Sequence, residues 1–358
     1  MLYALLFPLH TDYAFLNVFR YVSFRAIYAA LTALGLSLLF GERLIAFLKK
    51  RQIGQPIRDD GPITHQKKAG TPTMGGVMIL ATILLSTLLW ADLTERYIWV
   101  VILITVGFGL VGFWDDRLKY LRGNAKGLSA RYKFGLQFGV ALIAILILHA
   151  MPSYSTTLSV PFFKHFTPDL GWLYLPFAIF VVVGASNAVN LTDGLDGLAT
   201  VPIIISALTY TLFVYVTGHL AVANYLLIPY VPGSGELCIF CGAMVGAGLG
   251  FLWFNAPPAS IFMGDVGSLP LGAALGMVAV IAKQELLLAL VGGIFVVEAV
   301  SVILQVASFK SRGKRIFLMA PIHHHFELAG WTETKLVVRF WIVAVVLALL
   351  SLSTLKLR

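Results

Sequence analysis

The sequence contains few charged side chains and few cysteines. Only 12% of its 358 residues are charged, about half the share in soluble domains, whereas 59% are hydrophobic. These values exclude an ordinary soluble domain, a disordered chain and a collagen-like repeat. The two cysteines, Cys238 and Cys241, lie inside an apolar run, and we interpret them as packing residues rather than a metal or redox pair. The composition indicates an integral membrane protein.

Long apolar runs fill most of the chain. About 20 apolar residues are needed to cross a bilayer as a helix. The sequence therefore predicts an all-α integral membrane protein, a single polytopic domain over residues 1–358 with about ten transmembrane helices. The predicted spans are Val22–Phe40, Met74–Trp90, Ile98–Phe113, Phe134–Met151, Trp172–Val189, Leu198–Val216, Leu237–Phe254, Gly267–Ala282, Leu286–Phe309 and Leu336–Leu355. Glycines at four-residue spacing in spans four, seven and eight predict close helix packing there.

The basic residues are distributed unevenly between the two sides of the predicted bundle. Most of the 26 Lys and Arg residues lie in the loops after spans one, three and nine, whereas the even-numbered loops hold only Arg96, Lys164 and Lys283. The positive-inside rule places the basic loops in the cytoplasm and both termini in the periplasm. This asymmetry explains the net charge of +9 without a nucleic-acid partner.

The first of four polar clusters is Asp115-Asp116-x-x-Lys119, at the end of span three. Adjacent carboxylates at a membrane boundary need a cation nearby, and Lys119 is four residues after Asp115 if the helix continues. A solvated helix end with a salt bridge is the alternative. Carboxylates beside an ammonium group also suit divalent-metal and phosphate chemistry.

The second cluster lies between spans five and six. Asn187, Asn190, Asp193 and Asp196 recur at three-residue intervals, which gathers them on one helical face or in one tight loop. An ordinary linker between helices rarely needs four such residues, so we interpret this segment as part of a binding site.

The third and fourth clusters flank spans eight and ten. Asn255 precedes Phe262-Met-Gly-Asp265-Val-Gly-Ser, where Asp265 could present a carboxylate to a metal or could simply cap the helix. Pro321-Ile-His-His-His-Phe-Glu327 contains three consecutive histidines, which do not converge on one ion in a helix or strand. Hydrogen bonding to a sugar or phosphate is the favoured interpretation, and a solvated loop is the alternative.

Two further features lie near these clusters. Lys68 and Thr73 precede span two on the predicted cytoplasmic face. Glu298 lies inside span nine, where an ionisable group is either functional or a buried structural partner. Because all four clusters fall on one side, we predict a cytoplasmic active-site cleft where a water-soluble anionic substrate meets a lipid-borne one.

At these motifs the sequence resembles the phospho-N-acetylmuramoyl-pentapeptide-transferase family, within the polyprenyl-phosphate N-acetylhexosamine-1-phosphate transferases. The motifs D-D-x-x-K, N-x-x-N-x-x-D-G-x-D-G-L, F-M-G-D-x-G-S and P-I-H-H-H-x-E all occur intact. The resemblance implies an Mg²⁺-dependent enzyme of the bacterial inner membrane that forms a homodimer, acts at the membrane lipid and binds no nucleic acid. Its reaction would transfer phospho-MurNAc-pentapeptide from UDP-MurNAc-pentapeptide to undecaprenyl phosphate, giving lipid I and UMP.

The resemblance also implies roles for individual residues. Asp265 would bind Mg²⁺, with Asp115 as a second candidate ligand, and Asp115 and Asp116 would lie at the reacting phosphates. The remaining residues would bind the substrates, with Phe262 stacking on uracil. This substrate-binding set comprises Lys68, Thr73, Lys119, Lys133, Asn187, Asn190, Asp193, Asp196, Asn255, Phe262, His323, His324 and His325.

Two alternatives remain at this stage. A related transferase using UDP-N-acetylglucosamine would share the carboxylate motifs, but the triple-histidine motif argues against it. A secondary transporter would place ionisable groups near the bilayer midplane, where only Glu298 lies clearly inside a span. The residues also leave open whether the lipid phosphate attacks directly or an aspartate first forms a covalent intermediate.

Overall fold

The computed structural model describes all residues except 52–69, 124–126, 152–153, 164–165 and 357–358. Within the described residues the fold is helical, and an isolated β-bridge joins Thr157 to Asp169. Ten apolar helices in the described part of the chain form the bundle. They are α1 Val22–Lys50, α2 Gly76–Trp90, α3 Arg96–Arg122, α4 Ala130–His149, α5 Tyr174–Thr192, α6 Thr200–Thr217, α7 Leu237–Asn255, α8 Asp265–Ile281, α9 Gly293–Arg312 and α10 Glu333–Ser353.

Each predicted span overlaps one of these ten helices, and several helices extend beyond the predicted bounds. Eight helices in the described part of the chain are long and apolar enough to cross a membrane, while α2 and α8 are shorter apolar helices. The chain is therefore a multi-pass membrane protein. A short helix, Leu2–Leu6, precedes the bundle, and short helices at Leu220–Leu226, Glu285–Val291 and Ile322–Leu328 lie between its members.

The predicted ninth span is wrong in its first part. Instead of one helix over Leu286–Phe309, the chain forms the short helix Glu285–Val291, breaks at Gly292 and begins α9 at Gly293. Two consecutive glycines have low helix propensity, which makes a break there inexpensive. A side chain at Gly293 would also contact the Leu347 side chain of α10, with a methyl carbon 2.7 Å away.

Glycines allow close packing at only some of the predicted positions. A methyl group at Gly242 or Gly246 of α7 would meet the backbone of α1, and one at Gly272 or Gly276 of α8 would meet α5. These contacts confirm the prediction for spans seven and eight. The prediction is wrong for span four. A methyl group at Gly135 or Gly139 would have no neighbouring atom within 4 Å among the described residues.

Helix α8 forms the centre of the bundle and positions the polar clusters. All its residues from Val266 to Ile281 are buried, and it packs mainly against α3 and α5. Helix α3 continues to Arg122, well past the predicted end at Phe113, so the whole D-D-x-x-K motif is helical. Thus the end of α3, the end of α5 and the start of α8 meet at one end of the bundle.

Candidate active site

Three carboxylates from two helices meet at this end of the bundle. One ligand oxygen each from Asp115, Asp116 and Asp265 lies within 4.8 Å of the others. The side chains of Asp115 and Asp116 are only 3% and 5% exposed, and that of Asp265 is 13% exposed. We call these three residues the carboxylate centre. Their mutual repulsion in a poorly solvated position requires positive charge nearby.

Two lysines supply positive charge to the carboxylate centre. Lys119 Nζ lies 2.6 Å from Asp115 Oδ2, 3.4 Å from Asp116 Oδ1 and 2.9 Å from Asp265 Oδ2. Lys133, on the first turn of α4, lies 2.6 Å from Asp265 Oδ2. The predicted i,i+4 pair is confirmed, and the salt bridge belongs to a larger network. Two ammonium groups face three carboxylates, so the fully ionised group carries one net negative charge.

Backbone amides fix the orientation of the two aspartates on α3. The Leu128 N–H donates to Asp115 Oδ1 at 2.7 Å, and the Val266 N–H donates to Asp116 Oδ2 at 3.0 Å. The second contact needs a close approach at Gly264, which has φ 73° and would place a Cβ 2.6 Å from Asp116 Oδ2. Glycine is therefore the residue that this turn accommodates without strain.

Asp265 occupies the first turn of α8 but does not cap it. Gly264 is the N-cap residue and no side chain caps the helix, whereas Asp265 Oδ1 accepts a hydrogen bond from Asn190 Nδ2 at 2.7 Å. Asn190 also donates to Ser268 Oγ at 2.8 Å. The alternative interpretation of Asp265 as a helix cap is therefore wrong. Its carboxylate is instead oriented by a hydrogen bond between α5 and α8.

Asn187 lies one turn before Asn190 on α5. Its Nδ2 donates to Gln137 Oε1 of α4 and to the Val183 carbonyl, both at 2.8 Å. Gln137 is 1% exposed. Asn187 therefore joins α5 to α4, the helix that carries Lys133, and its amide nitrogen is already bonded to protein.

The loop after α5 places the two remaining aspartates differently. Asp193 is half-buried, and burial raises its pKa to about 7, with the negative charges of Asp265 and Asp116 adding to the effect. Asp196 is buried, and its Oδ2 accepts from the Ala259 N–H at 2.9 Å. Asp193 thus lies within electrostatic range of the carboxylate centre, whereas Asp196 fastens the loop to the segment after α7.

Asn255 is also bonded within the protein. It is 2% exposed, its Oδ1 accepts from the Gly197 N–H and the Thr200 hydroxyl, and its Nδ2 donates to the Ile261 carbonyl. These three bonds connect the aspartate loop with the segment that leads to α8. Its polar atoms therefore hold the loop in place.

A backbone pairing places Thr73 and Phe262 side by side. The Phe262 N–H donates to the Pro72 carbonyl at 2.8 Å, and the Gly75 N–H donates to the Phe262 carbonyl at 2.9 Å. Both Thr73 and Phe262 are half-buried. Thr73 also lies next to Gly264, where its hydroxyl would be 3.1 Å from an added Cβ. Lys68 lies outside the described residues.

The three histidines lie on the short helix Ile322–Leu328 and contact three different partners. His323 is buried and pairs with Glu298 of α9 at 3.1 Å. His324 lies 2.7 Å from Glu327, and His325 Nδ1 accepts from the Leu318 N–H at 3.2 Å. His324 and His325 are partly exposed, whereas His323 lies beneath the surface.

Several residues that shape the site had no assigned role at the sequence level. Ser268 and Gln137 bond the two asparagines, and Leu128 contributes only a backbone amide. Trp341 of α10 donates from Nε1 to the Gly197 carbonyl at 3.1 Å. An isolated glutamine in an apolar span was a usable signal for Gln137, but the other contacts depend on tertiary structure.

Comparison with known proteins extends this description to the whole chain. Residues 98–283 match the family model described as glycosyl transferase family 4, and residues 68–80 match phospho-N-acetylmuramoyl-pentapeptide-transferase signature 1. A phospho-N-acetylmuramoyl-pentapeptide-transferase from Desulfatibacillum aliphaticivorans is 62% identical over the full length of both chains. The chain belongs to the phospho-N-acetylmuramoyl-pentapeptide-transferase family.

Two more relatives of the same name support this membership. They come from Citrifermentans bemidjiense, at 59% identity, and Syntrophus aciditrophicus, at 57%, and both matches cover the whole of each chain. The resemblance stated from the four motifs is therefore confirmed. The signature match includes Thr73 and also Lys68, which the structure does not describe.

Proposed function

We propose that the protein transfers phospho-MurNAc-pentapeptide from UDP-MurNAc-pentapeptide to undecaprenyl phosphate, forming lipid I and releasing UMP. The carboxylate centre with its two lysines carries this proposal, because phosphoryl transfer depends on positioning and on neutralising phosphate charge. The high identity to phospho-N-acetylmuramoyl-pentapeptide-transferases over the whole length of both chains supports the choice of substrates.

The carboxylate centre fits a magnesium ion. Its donors are hard carboxylate oxygens, which Mg²⁺ prefers, and its unbalanced negative charge favours a cation. Asp265 would bind the ion, with Asp115 and Asp116 as further ligands. When bound, Mg²⁺ would neutralise charge on the phosphate oxygens.

The chain's own residues would position the reacting phosphates. Lys119 and Lys133, 25% and 18% exposed, can turn from the carboxylates toward phosphate oxygens at the surface of the site. The hydrogen bond from Asn190 would keep Asp265 oriented while the lysines turn. Thr73, Phe262, Asp193, His324 and His325 would bind the nucleotide sugar, with Asn187, Asp196, Asn255 and His323 holding these groups in place.

Direct attack by the lipid phosphate is the simplest chemistry for this arrangement. A phosphate oxygen of undecaprenyl phosphate forms a bond to the β-phosphorus of the nucleotide sugar, and the bond from that phosphorus to the bridging oxygen breaks. UMP leaves with the bridging oxygen and its electron pair. Each carboxylate of the centre already accepts hydrogen bonds or ion pairs, which supports orienting roles over nucleophilic attack.

The orientation in the membrane is part of the proposal. The basic loops support a cytoplasmic active site in the bacterial inner membrane, where a nucleotide sugar is available. The periplasmic termini and the homodimer remain predictions.

A reconstituted assay tests the reaction. Purified protein with UDP-MurNAc-pentapeptide, undecaprenyl phosphate and Mg²⁺ is expected to release UMP and form a lipid-linked product, while EDTA stops both. Replacing the donor with UDP-N-acetylglucosamine is expected to give little product. Without undecaprenyl phosphate, direct attack predicts no burst of UMP, whereas a covalent intermediate predicts a stoichiometric burst. Folded protein that releases no UMP from the first mixture would refute the function.

A further inference from the structure

Glu298 and His323 form a buried pair that the proposed reaction does not use directly. Glu298 lies inside α9 and is 0% exposed, and His323 is 1% exposed. Glu298 Oε2 lies 3.1 Å from His323 Nδ1 and 3.5 Å from the His323 backbone nitrogen. One carboxylate oxygen therefore fixes both the imidazole ring and the start of the short histidine helix.

This contact determines how the imidazole is oriented. With Nδ1 of His323 directed at the Glu298 carboxylate, Nε2 lies on the opposite edge of the ring. His323 Nε2 is buried and has no hydrogen-bond partner among the described residues. The ring is thus held from one side, by Glu298.

The opposite edge of the ring lies against the aspartate loop. A methyl group built on Gly194 would overlap Nε2 of His323 and lie 2.9 Å from Cε1 of the same ring. Gly194 directly follows Asp193, the half-buried residue whose environment includes the charges of Asp265 and Asp116. The imidazole therefore lies directly behind the backbone that presents Asp193.

We propose that Glu298 is a positioning residue whose carboxylate orients His323 as the support for Gly194 and Asp193. The inference rests on the proposed function, because it assigns this buried pair an effect on binding of the nucleotide sugar. Removing the carboxylate lets the ring turn, and the loop carrying Asp193 shifts with it. A displacement of about 1 Å in a binding group is enough to weaken substrate positioning markedly.

The test compares Michaelis constants for the two substrates. Glu298→Leu and Gly194→Ala are each expected to raise KM for UDP-MurNAc-pentapeptide about tenfold, within the range for a misplaced binding group. KM for undecaprenyl phosphate is expected to stay within about twofold, because the pair acts only through the nucleotide-sugar loop. Glu298→Gln keeps an acceptor oxygen for Nδ1–H and is expected to restore KM to within about threefold of wild type.

A double-mutant cycle separates this role from a general effect on folding. Removing the ring with His323→Ala makes room for the methyl group, so Gly194→Ala is expected to change KM less than twofold in that background. Glu285→Gln is the matched control, because Glu285 is also buried but lies beyond the other end of α8. Its KM values are expected to equal those of wild type.

The outcomes distinguish the inference from the reaction itself. Wild-type protein that releases no UMP would overturn the proposed function and the inference together. Active wild type with unchanged KM in both Glu298→Leu and Gly194→Ala, or with additive effects in the cycle, would overturn the inference alone. If Glu298→Leu does not fold, the Gly194 and His323 cycle decides, because Gly194 lies in an exposed turn.

Discussion

Replacing Asp265 with asparagine is expected to lower kcat about 10³-fold, which leaves almost no turnover. Asparagine has nearly the same shape but no negative charge, so it pairs poorly with Lys119 and Lys133, which lie 2.9 and 2.6 Å from Asp265. It also removes a ligand oxygen from the carboxylate centre. UMP release at saturating substrates and Mg²⁺ measures the effect.

Asp12→Asn is the control for this experiment. Asp12 is exposed near the N-terminus and lies outside the site, so its replacement is expected to leave kcat unchanged. Both variants should elute and melt like wild type. Turnover close to wild type in folded Asp265→Asn protein would contradict a role for this carboxylate in the reaction.

Lys119→Met is expected to slow turnover and to tighten magnesium binding. Lys119 lies within 3.4 Å of all three carboxylates, so its removal leaves Lys133 as the remaining ammonium group of the described network. We expect kcat to fall about 10²-fold, because a phosphate-stabilising cation is lost. The Mg²⁺ concentration for half-maximal rate is expected to fall several-fold, because the ion no longer competes with the Lys119 ammonium group for the carboxylates.

A magnesium titration at saturating substrates measures both effects. Lys49→Met, which removes an exposed lysine at the end of α1, is the control and is expected to change neither quantity. If Lys119→Met instead required more Mg²⁺ than wild type, the lysine would not compete with the ion for these carboxylates. The proposed charge balance of the site would then be wrong.

Sequence patterns predicted the bundle because each span has to be apolar over most of its length. The spacing of Asp115 and Lys119 likewise predicted their ion pair, since residues four apart share a helix face. The break at Gly292 was missed because Leu286–Phe309 is apolar on both sides of it. Gly292 and Gly293 are compatible with a break, but glycines also occur inside continuous helices such as α7, so their presence alone does not locate one.

The sequence predicted which residues lie in the candidate site better than it predicted what each of them contacts. Asp115 and Asp116 belong to one motif and Asp265 to another, but all three share one centre, as expected from their common side of the membrane. The burial of Asn255 and His323 could not be predicted, because it depends on how distant segments pack. Residue type and spacing indicate that a side chain is polar and near the site, but they do not distinguish substrate contacts from internal supports.

Labelling of single engineered cysteines in sealed membrane vesicles tests the central claim most directly, namely that these polar segments form one nucleotide-sugar pocket open to the cytoplasm. His324→Cys and Asp193→Cys are treated with a membrane-impermeant thiol reagent, since native Cys238 and Cys241 are buried. We expect labelling from the cytoplasmic side only, and protection by UDP-MurNAc-pentapeptide at both positions. Labelling only from the periplasmic side, or no protection at either position, would contradict the account.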